Sequence, residues 1–492
     1  MVMSVSRSNH NGVRVYQADL SGVCCGTLVF GVGKRDESAT LSGITHLMEH
    51  LLLRLLAPIS IEHSAVVSDS SLTVSASGSA HEVGRFFSEF TKAVTRLGDV
   101  TGQDLKFEKR IIRIEQANNV DDPTAGLLTY RYGLHGVGLT DFGAPSTNAL
   151  TRQEVTDWAA KWLRAENTSM AFSRNLPATL DLQLPRGSVA HTKQQTPLLT
   201  TPALVASAKS GVAVSLLVPR DDVDLLQIAL QHELFMSLRH RRGLIYDVET
   251  FTTPVDGKLS ELVLVLDPAR KHVDTAVRVV AQTFKQIAAA GFSEAAVAGA
   301  RIHGGARAQR TFAGLDYLDR LAADGLHGWP TRSPEQMDED ASEVTSKSLT
   351  SVFIGSAVSA IIAYNENATL SKKTLQRVAL TVTRFTPWQP VAESSSPSDG
   401  RTTESKWHSR DGKNTLLVTD KAVFNTEAAH TRRILFADIV LAGDRPCGCL
   451  ALVDCRGQSI GFQADNWKRL KSLKRRLLEI LDPALVRTFP TH

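Results

Sequence analysis

Two hydrophobic rhythms run along this chain. Between Val13 and Gly33 the stretch VRVYQADLSGVCCGTLVFGVG alternates and turns apolar, which predicts two strands joined at a Ser-Gly turn. From Gly43 the period lengthens. Ile44, Leu47, Met48, Leu51, Leu52 and Leu55 recur at helical spacing, so GITHLMEHLLLRLL predicts a largely buried helix. A strand is expected from Ser71 to Ser77. An amphipathic helix follows from His81 to Leu97, with Val83, Phe86, Phe87, Phe90 and Val94 on one face. A second helix is expected from Thr101 to Asn118, with Asp121-Asp122-Pro123 beyond its end. A third, Thr151 to Leu163, opens on a Thr151/Glu154 capping box, and a strand from Thr168 to Phe172 closes the block.

The same order then recurs. Gly211 to Pro219 reads as a strand, Asp224 to Leu238 as a helix placed like the Gly43 helix, and Leu259 to Leu266 as a strand. Helices at His272 to Ala290 and Ser293 to Gln309, a helix at Ala341 to Phe353 and a strand at Ser359 to Tyr364 complete the series. An offset of roughly 185–195 residues is far beyond solenoid periods and predicts two duplicated α/β-sandwich domains, an α+β fold class. Pro/Ser/Thr-rich stretches mark linkers. The expected organisation is a domain over 1–185, a linker over 186–206, a related domain over 207–385, a linker over 386–406, and a small β-rich domain over 407–492. That last block reads as six short strands with a turn at Cys455-Arg456-Gly457, closed by an amphipathic helix from Asp465 to Leu481. By element order it resembles a pleckstrin-homology-like domain. The basic face of its helix reads as solvated surface, with contact to an anionic membrane or partner as the alternative.

Composition narrows the function classes. The chain has 492 residues, 42% hydrophobic and 22% charged, as a soluble globular protein of several domains would. A net charge of +4 is too weak to argue for nucleic acid. No apolar run is long enough for a membrane span, and MVMSVSRSNHNGV has no apolar signal core, so a cytoplasmic location is the default expectation. Five cysteines, at 24, 25, 447, 449 and 455, are too few and too uneven for a disulfide framework and read as reduced structural thiols.

The candidate chemistry lies in the Gly43 helix. His46 and His50 are four apart and share a face, where two imidazoles can hold one metal ion, and Glu49 stands beside them. This is the H-x-x-E-H arrangement of a zinc site. A catalytic zinc needs a third protein ligand. Glu115, 65 residues past His50 on a predicted helix of the same domain, is the best candidate, and Glu108, two turns earlier on the same face, could orient a ligand. Taken alone, both would pass as exposed helix carboxylates. Glu49, close to the metal without binding it, would take a proton from water attacking a carbonyl and return it to the leaving amine.

These residues carry a resemblance. The run GVGKRDE into GITHLMEH, the pair Glu108 and Glu115 in FEKRIIRIE, and the repeated half are similar to the pitrilysin, insulysin and mitochondrial processing peptidase family of zinc peptidases, over Asn11 to about Thr383. The resemblance implies zinc (Zn2+) held by His46, His50 and Glu115, with Glu49 as general base and Glu108 behind the ligands. It implies that SLRHRRGLIYDV supplies Arg239 and Tyr246 to bind substrate, Tyr246 also meeting the developing oxyanion. It implies that extended peptide adds to the strand carrying Leu72, Thr73 and Val74, where the family's Asn-Ala-Thr run is absent. Two such domains form a half-clamshell, so a homodimer, or a heterodimer with a related subunit, is implied. The expected activity is endoproteolysis of short or unfolded peptides in a closed chamber, including removal of a leader from one precursor. The alternative is a non-catalytic binding or assembly subunit.

Overall fold

Two mixed sheets, each backed by helices, form the two large halves of the chain. The computed structural model describes residues 4–56, 60–117, 126–189, 196–207, 211–308, 313–365, 367–378, 405–427, 430–463 and 465–489. The Asp121-Asp122-Pro123 turn and residues 386–404 of the expected second linker lie outside them.

The first half contains β1 (Ser6–His10), β2 (Val13–Gln17), β3 (Cys24–Phe30), β4 (Glu62–Val67), β5 (Leu72–Gly78) and β6 (Thr168–Phe172), in the spatial order β1-β2-β6-β3-β5-β4. Its helices are α1 (Ile44–Arg54), α2 (Ala80–Thr95), α3 (Gly102–Ala117), α4 (Leu127–Tyr132) and α5 (Arg152–Trp162). Strands β2 and β3, expected as neighbours across a Ser-Gly turn, are separated by β6, which runs parallel to β2 and antiparallel to β3. All five residues of β6 are buried, so this returning strand takes the central position that the sequence-adjacent pair would have closed.

The second half contains β7 (Ala203–Ser207), β8 (Val212–Pro219), β9 (Val248–Pro254), β10 (Leu259–Leu266) and β11 (Ile361–Asn365), ordered β7-β11-β8-β10-β9. Position for position this matches β2-β6-β3-β5-β4, down to the single parallel pair, here β7 with β11. Its helices are α6 (Val223–Leu234), α7 (Val273–Ala290), α8 (Glu294–Ala308), α9 (Ala313–His327), α10 (Pro334–Glu343), α11 (Ser346–Ala357) and α12 (Lys372–Val378). Strand β7 begins inside the expected linker 186–206. Its short apolar run, Ala203 to Val205, is fully buried, and the Pro/Thr-rich residues before it mask the pattern.

One face of each sheet is covered by its own half. Phe86, Phe87 and Phe90 of α2 and Trp158 and Trp162 of α5 pack with α1 against Leu28, Phe30 and Val74. The opposite faces are covered by exchange. Leu318, Leu321 and Ala322 of α9, from the second half, sit on Tyr16, Val29 and Ala171 of the first sheet. Leu127 of α4, from the first half, sits with Val205, Ala213, Val263 and Ile361 of the second. Burying one such leucine contributes about 1.5–3 kcal/mol. Polar groups lock the exchange: the guanidinium of Arg131, in α4, donates to the Ser359 carbonyl at 2.8 Å and to Ser215 Oγ at 2.8 Å, and the Ser215 hydroxyl donates to the Glu261 carboxylate. Arg131 and Glu261 are both almost wholly buried.

The C-terminal region has two four-stranded sheets. The first runs β12 (Ser405–His408), β13 (Asn414–Val418), β14 (Ala422–Glu427) and β15 (His430–Leu435). The second contains β16 (Ile439–Asp444), β17 (Leu450–Asp454), β18 (Ser459–Phe462) and β19 (Val486–Thr488), ordered β18-β17-β16-β19. Helix α13 (Leu470–Ile480) starts five residues later than the expected Asp465. Arg469 at its entry is left-handed, with φ of 57°, and Trp467 bridges to Ser409. Trp467 is nevertheless buried in the core of this region. The region docks on the first half through Arg487 Nη1 to Glu154 Oε1 at 2.6 Å and the Leu134 amide to the Cys455 carbonyl at 2.7 Å.

Replacing Arg131 by alanine strands the Glu261 carboxylate in the core. The expected cost is about 3–5 kcal/mol, read as a lowered midpoint in denaturant unfolding followed by tryptophan fluorescence.

Candidate metal centre

Helix α1 begins at Gly43, whose φ of 88° is open to glycine at little cost and which offers no capping side chain. Glu37 supplies the cap from six residues upstream: Oε2 accepts from the Gly43 amide at 2.7 Å and Oε1 from the Thr45 amide at 3.0 Å. Burial pushes the Glu37 pKa up to about 7, against the pull of those two amides. Trp158 Nε1 donates to Thr45 Oγ1 at 3.2 Å and pins the same turn to α5. The first turn of the helix, and His46 with it, is therefore held from two sides. Neither anchor was singled out from the sequence; for Glu37 the signal was an acidic residue just ahead of a helix lacking its own cap.

His46 Nε2 and His50 Nε2 lie 3.1 Å apart, and Glu115 Oε2 of α3 is 3.6 Å from each. Ligand atoms about 2.0–2.1 Å from a tetrahedral ion are separated by about 3.3–3.4 Å, so these three atoms have the spacing of one face of such a site. They form the single group of this kind among the described residues. Burial, then the neighbouring His50 and Lys34, push the His46 pKa down to about 4, so its ring nitrogen keeps a free lone pair at neutral pH. On the far side of His50, Nδ1 donates to Glu108 Oε2 at 3.1 Å, which orients the ring with Nε2 facing His46. Glu108 is itself held by Arg54 Nη1 at 3.0 Å, and Arg54 Nε also reaches Asp104 Oδ1 at 2.7 Å.

Glu49 Oε2 is 3.9 Å from His46 Nε2, beside the three-atom face and outside it. Burial raises its pKa to about 7, against the pull of His50 and with a smaller push from the Glu115 charge. A carboxyl poised there can both take and release a proton near neutrality. The group opens into a cavity of about 520 Å3, bordered by Lys34, by Ala65, Val66 and Val67 of β4, and by Thr140 and Ala144.

The expected peptide-binding strand is corrected. Leu72, Thr73 and Val74 lie on β5, which is hydrogen-bonded to β3 on one side and β4 on the other, so its main chain has no free edge. Leu72 and Val74 are fully buried. The free edge beside the cavity is β4. From the sequence no element is expected there: its opening, Glu62-His63-Ser64, is polar, although the apolar run Ala65 to Val67 was a legible signal.

Arg239 and Tyr246 are brought to each other but not into this cavity. Helix α6 continues into a π-helical turn, Phe235–His240, that carries Arg239, a local irregularity common at functional sites. The Arg239 guanidinium lies over the Tyr246 ring at 5.6 Å, and the Tyr246 side chain is largely exposed.

The chain is similar to known proteins in sequence and in fold. The family model described as peptidase M16 inactive domain matches residues 219–302, from the end of β8 into α8, within the half that lacks the histidine pair. Uncharacterized zinc proteases of Mycobacterium tuberculosis and Mycobacterium bovis are each 27% identical over 162 residues, 30% of this chain and 37% of theirs. In both comparisons the chain is similar to members of the pitrilysin-like peptidase family. The matched part spans little more than a third of those curated relatives. Solved structures share the fold of this chain. A chain of Complex III2 from Candida albicans aligns with a TM-score of 0.62 at 15% identity, over 76% of this chain and all of that one. A peptidase M16 inactive domain from Pseudomonas fluorescens aligns at 0.58 and 16% identity, over 75% of this chain and all of that one. Among the described residues, no helix is long and apolar enough to cross a membrane.

Glu37 gives a pH signature. Its proton is held up to about pH 7 in the folded chain but is released near 4.5 when unfolded, so its contribution to stability falls as pH rises from 4.5 to 7. The thermal midpoint of the wild type should therefore drop relative to Glu37→Gln across that window, by an amount corresponding to on the order of 2 kcal/mol. Parallel pH profiles would show that Glu37 does not titrate this way.

Proposed function

We propose that the chain is a zinc endopeptidase acting on short or unfolded peptides, with His46, His50 and Glu115 as metal ligands. The observation that carries this reading is the tetrahedral spacing of those three donor atoms with the Glu49 carboxyl next to them. Zinc in such a site supplies Lewis acidity toward a peptide carbonyl and the water that attacks it. The remaining work falls to the chain. Glu49 accepts the proton of the attacking water and delivers it to the departing amine. Glu108, steadied by Arg54, keeps His50 in the tautomer that faces the metal. The free edge of β4 receives the substrate backbone as an added strand.

Arg239 and Tyr246 act on this reading from across a chamber, donating to a peptide carbonyl and to the developing oxyanion. Neither borders the cavity, so on this reading a movement of the second half or a second copy of the chain presents them. The shared strand order of the two sheets supports an internal duplication. The two C-terminal sheets closed by α13 support a pleckstrin-homology-like domain, added to a peptidase of one specific precursor from which a leader is removed.

Purified protein should contain one zinc per chain and cut peptides from a mixed library. Glu49→Gln should keep the zinc and lose at least about 100-fold in kcat, and chelation should abolish turnover until zinc is restored. A zinc-free preparation, or Glu49→Gln cutting at the wild-type rate, removes the reading. Tyr246→Phe should lower kcat by about 100-fold with zinc content unchanged, as measured by initial rates and elemental analysis.

A further inference from the structure

A cavity larger than the one at the candidate metal centre lies elsewhere among the described residues. It lies in the C-terminal region between the β16–β17 turn and α13, with a volume of about 860 Å3. Its floor is apolar, with Pro446, Trp467, Leu470 and Leu478, and its rim is cationic, with Arg410, Arg469, Lys471 and Arg475 exposed around it. Arg410, Arg469 and Lys471 make no ion pair among the described residues, while Lys474 deeper in the groove is engaged with Asp444. Glu479 is the one acidic residue of the lining. The imbalance extends to the whole region: residues 405–492 contain fifteen Lys and Arg against nine Asp and Glu, whereas the full chain is only +4. The rest of the chain is therefore slightly acidic, and the positive charge is concentrated here.

We propose that this groove binds an acidic peptide segment that inserts one or two apolar side chains between α13 and the β16–β17 turn. Charge complementarity selects acidic residues, and the floor selects the apolar anchor. Concavity favours a peptide over a lipid surface. Among the described residues, no large hydrophobic side chain in this region protrudes as a bilayer-inserting residue would; the apolar surface is recessed. The position of the region gives binding a consequence. The Cys455 carbonyl is hydrogen-bonded to the Leu134 amide, and the same connection between α4 and α5 supplies Thr140 and Ala144 to the border of the metal-centre cavity. A segment held in the groove is thus tethered to a domain seated on one wall of that cavity. Taking the segment to be part of the substrate rests on the peptidase reading; the binding itself does not.

The test uses the full chain carrying Glu49→Gln, so that no probe is consumed. A fluorescein-labelled peptide of glutamates flanking a Leu-Phe pair is titrated and followed by anisotropy. Its Glu-to-Gln version and vesicles of phosphatidylserine in phosphatidylcholine serve as the other arms. The acidic peptide should bind, the neutral one should bind at least about tenfold more weakly, and Arg469→Glu combined with Lys471→Glu should weaken the acidic peptide by at least about tenfold. Both substituted side chains are exposed, and an unchanged thermal midpoint certifies the fold. Leu478→Glu, which blocks the floor, gives a second, independent loss. Equal binding of the two peptides, indifference to the double variant, or binding of the vesicles without the peptide overturns the proposal. Failure of cleavage in the wild type with this binding intact would remove only the peptidase reading.

Discussion

A mixed sheet has two faces to cover, and in this chain each half owns helices for only one of them. The constraint is resolved by exchange: α9 crosses from the second half to the first sheet, and α4 crosses from the first half to the second. Neither sheet can keep its second face dry without the other half, so the halves are bound to fold as partners. Arg131 sets the register of that exchange, because a buried guanidinium tied to Ser215 and Ser359 beside Glu261 tolerates little sliding. The connection that begins with α4 also supplies part of the border of the candidate metal-centre cavity, and the C-terminal region leans on it. The shape of that cavity therefore depends on a contact made on the far sheet.

Within the first half, the centre is positioned by charge as much as by packing. Arg54 lies in the last turn of α1, where a cation suits the helix end, and it grips Asp104 and Glu108 of α3 at once. Seven residues of helix advance about 10.5 Å, so fixing Glu108 against His50 carries Glu115 two turns along the same face to the open side of the histidine pair. At the other end of α1, Glu37 occupies the amides that would otherwise be left unpaired. The two ends of one eleven-residue helix are thus held by acidic side chains from elsewhere, and the histidines sit between them.

What the chain revealed before folding was local. The 3.6-residue period of α1, the four-residue spacing of His46 and His50, and the two-turn spacing of Glu108 and Glu115 are properties of single helices and were legible. What it concealed depended on neighbours. Strand β6 inserted between β2 and β3 because its partner on each side was remote in sequence. Strand β4 looked polar because an edge strand has only one side to bury. The start of α13 was misjudged because Trp467 is apolar at helical spacing yet reaches the core from a turn, behind a left-handed Arg469. Arg239 and Tyr246 were singled out only through the family resemblance; a cation–π contact joins them, but no local pattern encodes their distance from a cavity in the other half.

The edge strand β4 has six residues, of which the last three border the cavity. At about 3.3 Å per residue and with alternate side chains turned to opposite faces, a peptide paired along it would present only about three side chains to either face. The backbone, common to every sequence, would supply most of the contact. Such a ruler measures extension and reads little text: it would accept any stretch able to lie flat and reject one already committed to a helix or a packed sheet. Discrimination among unfolded chains would have to be made at a distance from the strand, by whatever delivers them to it.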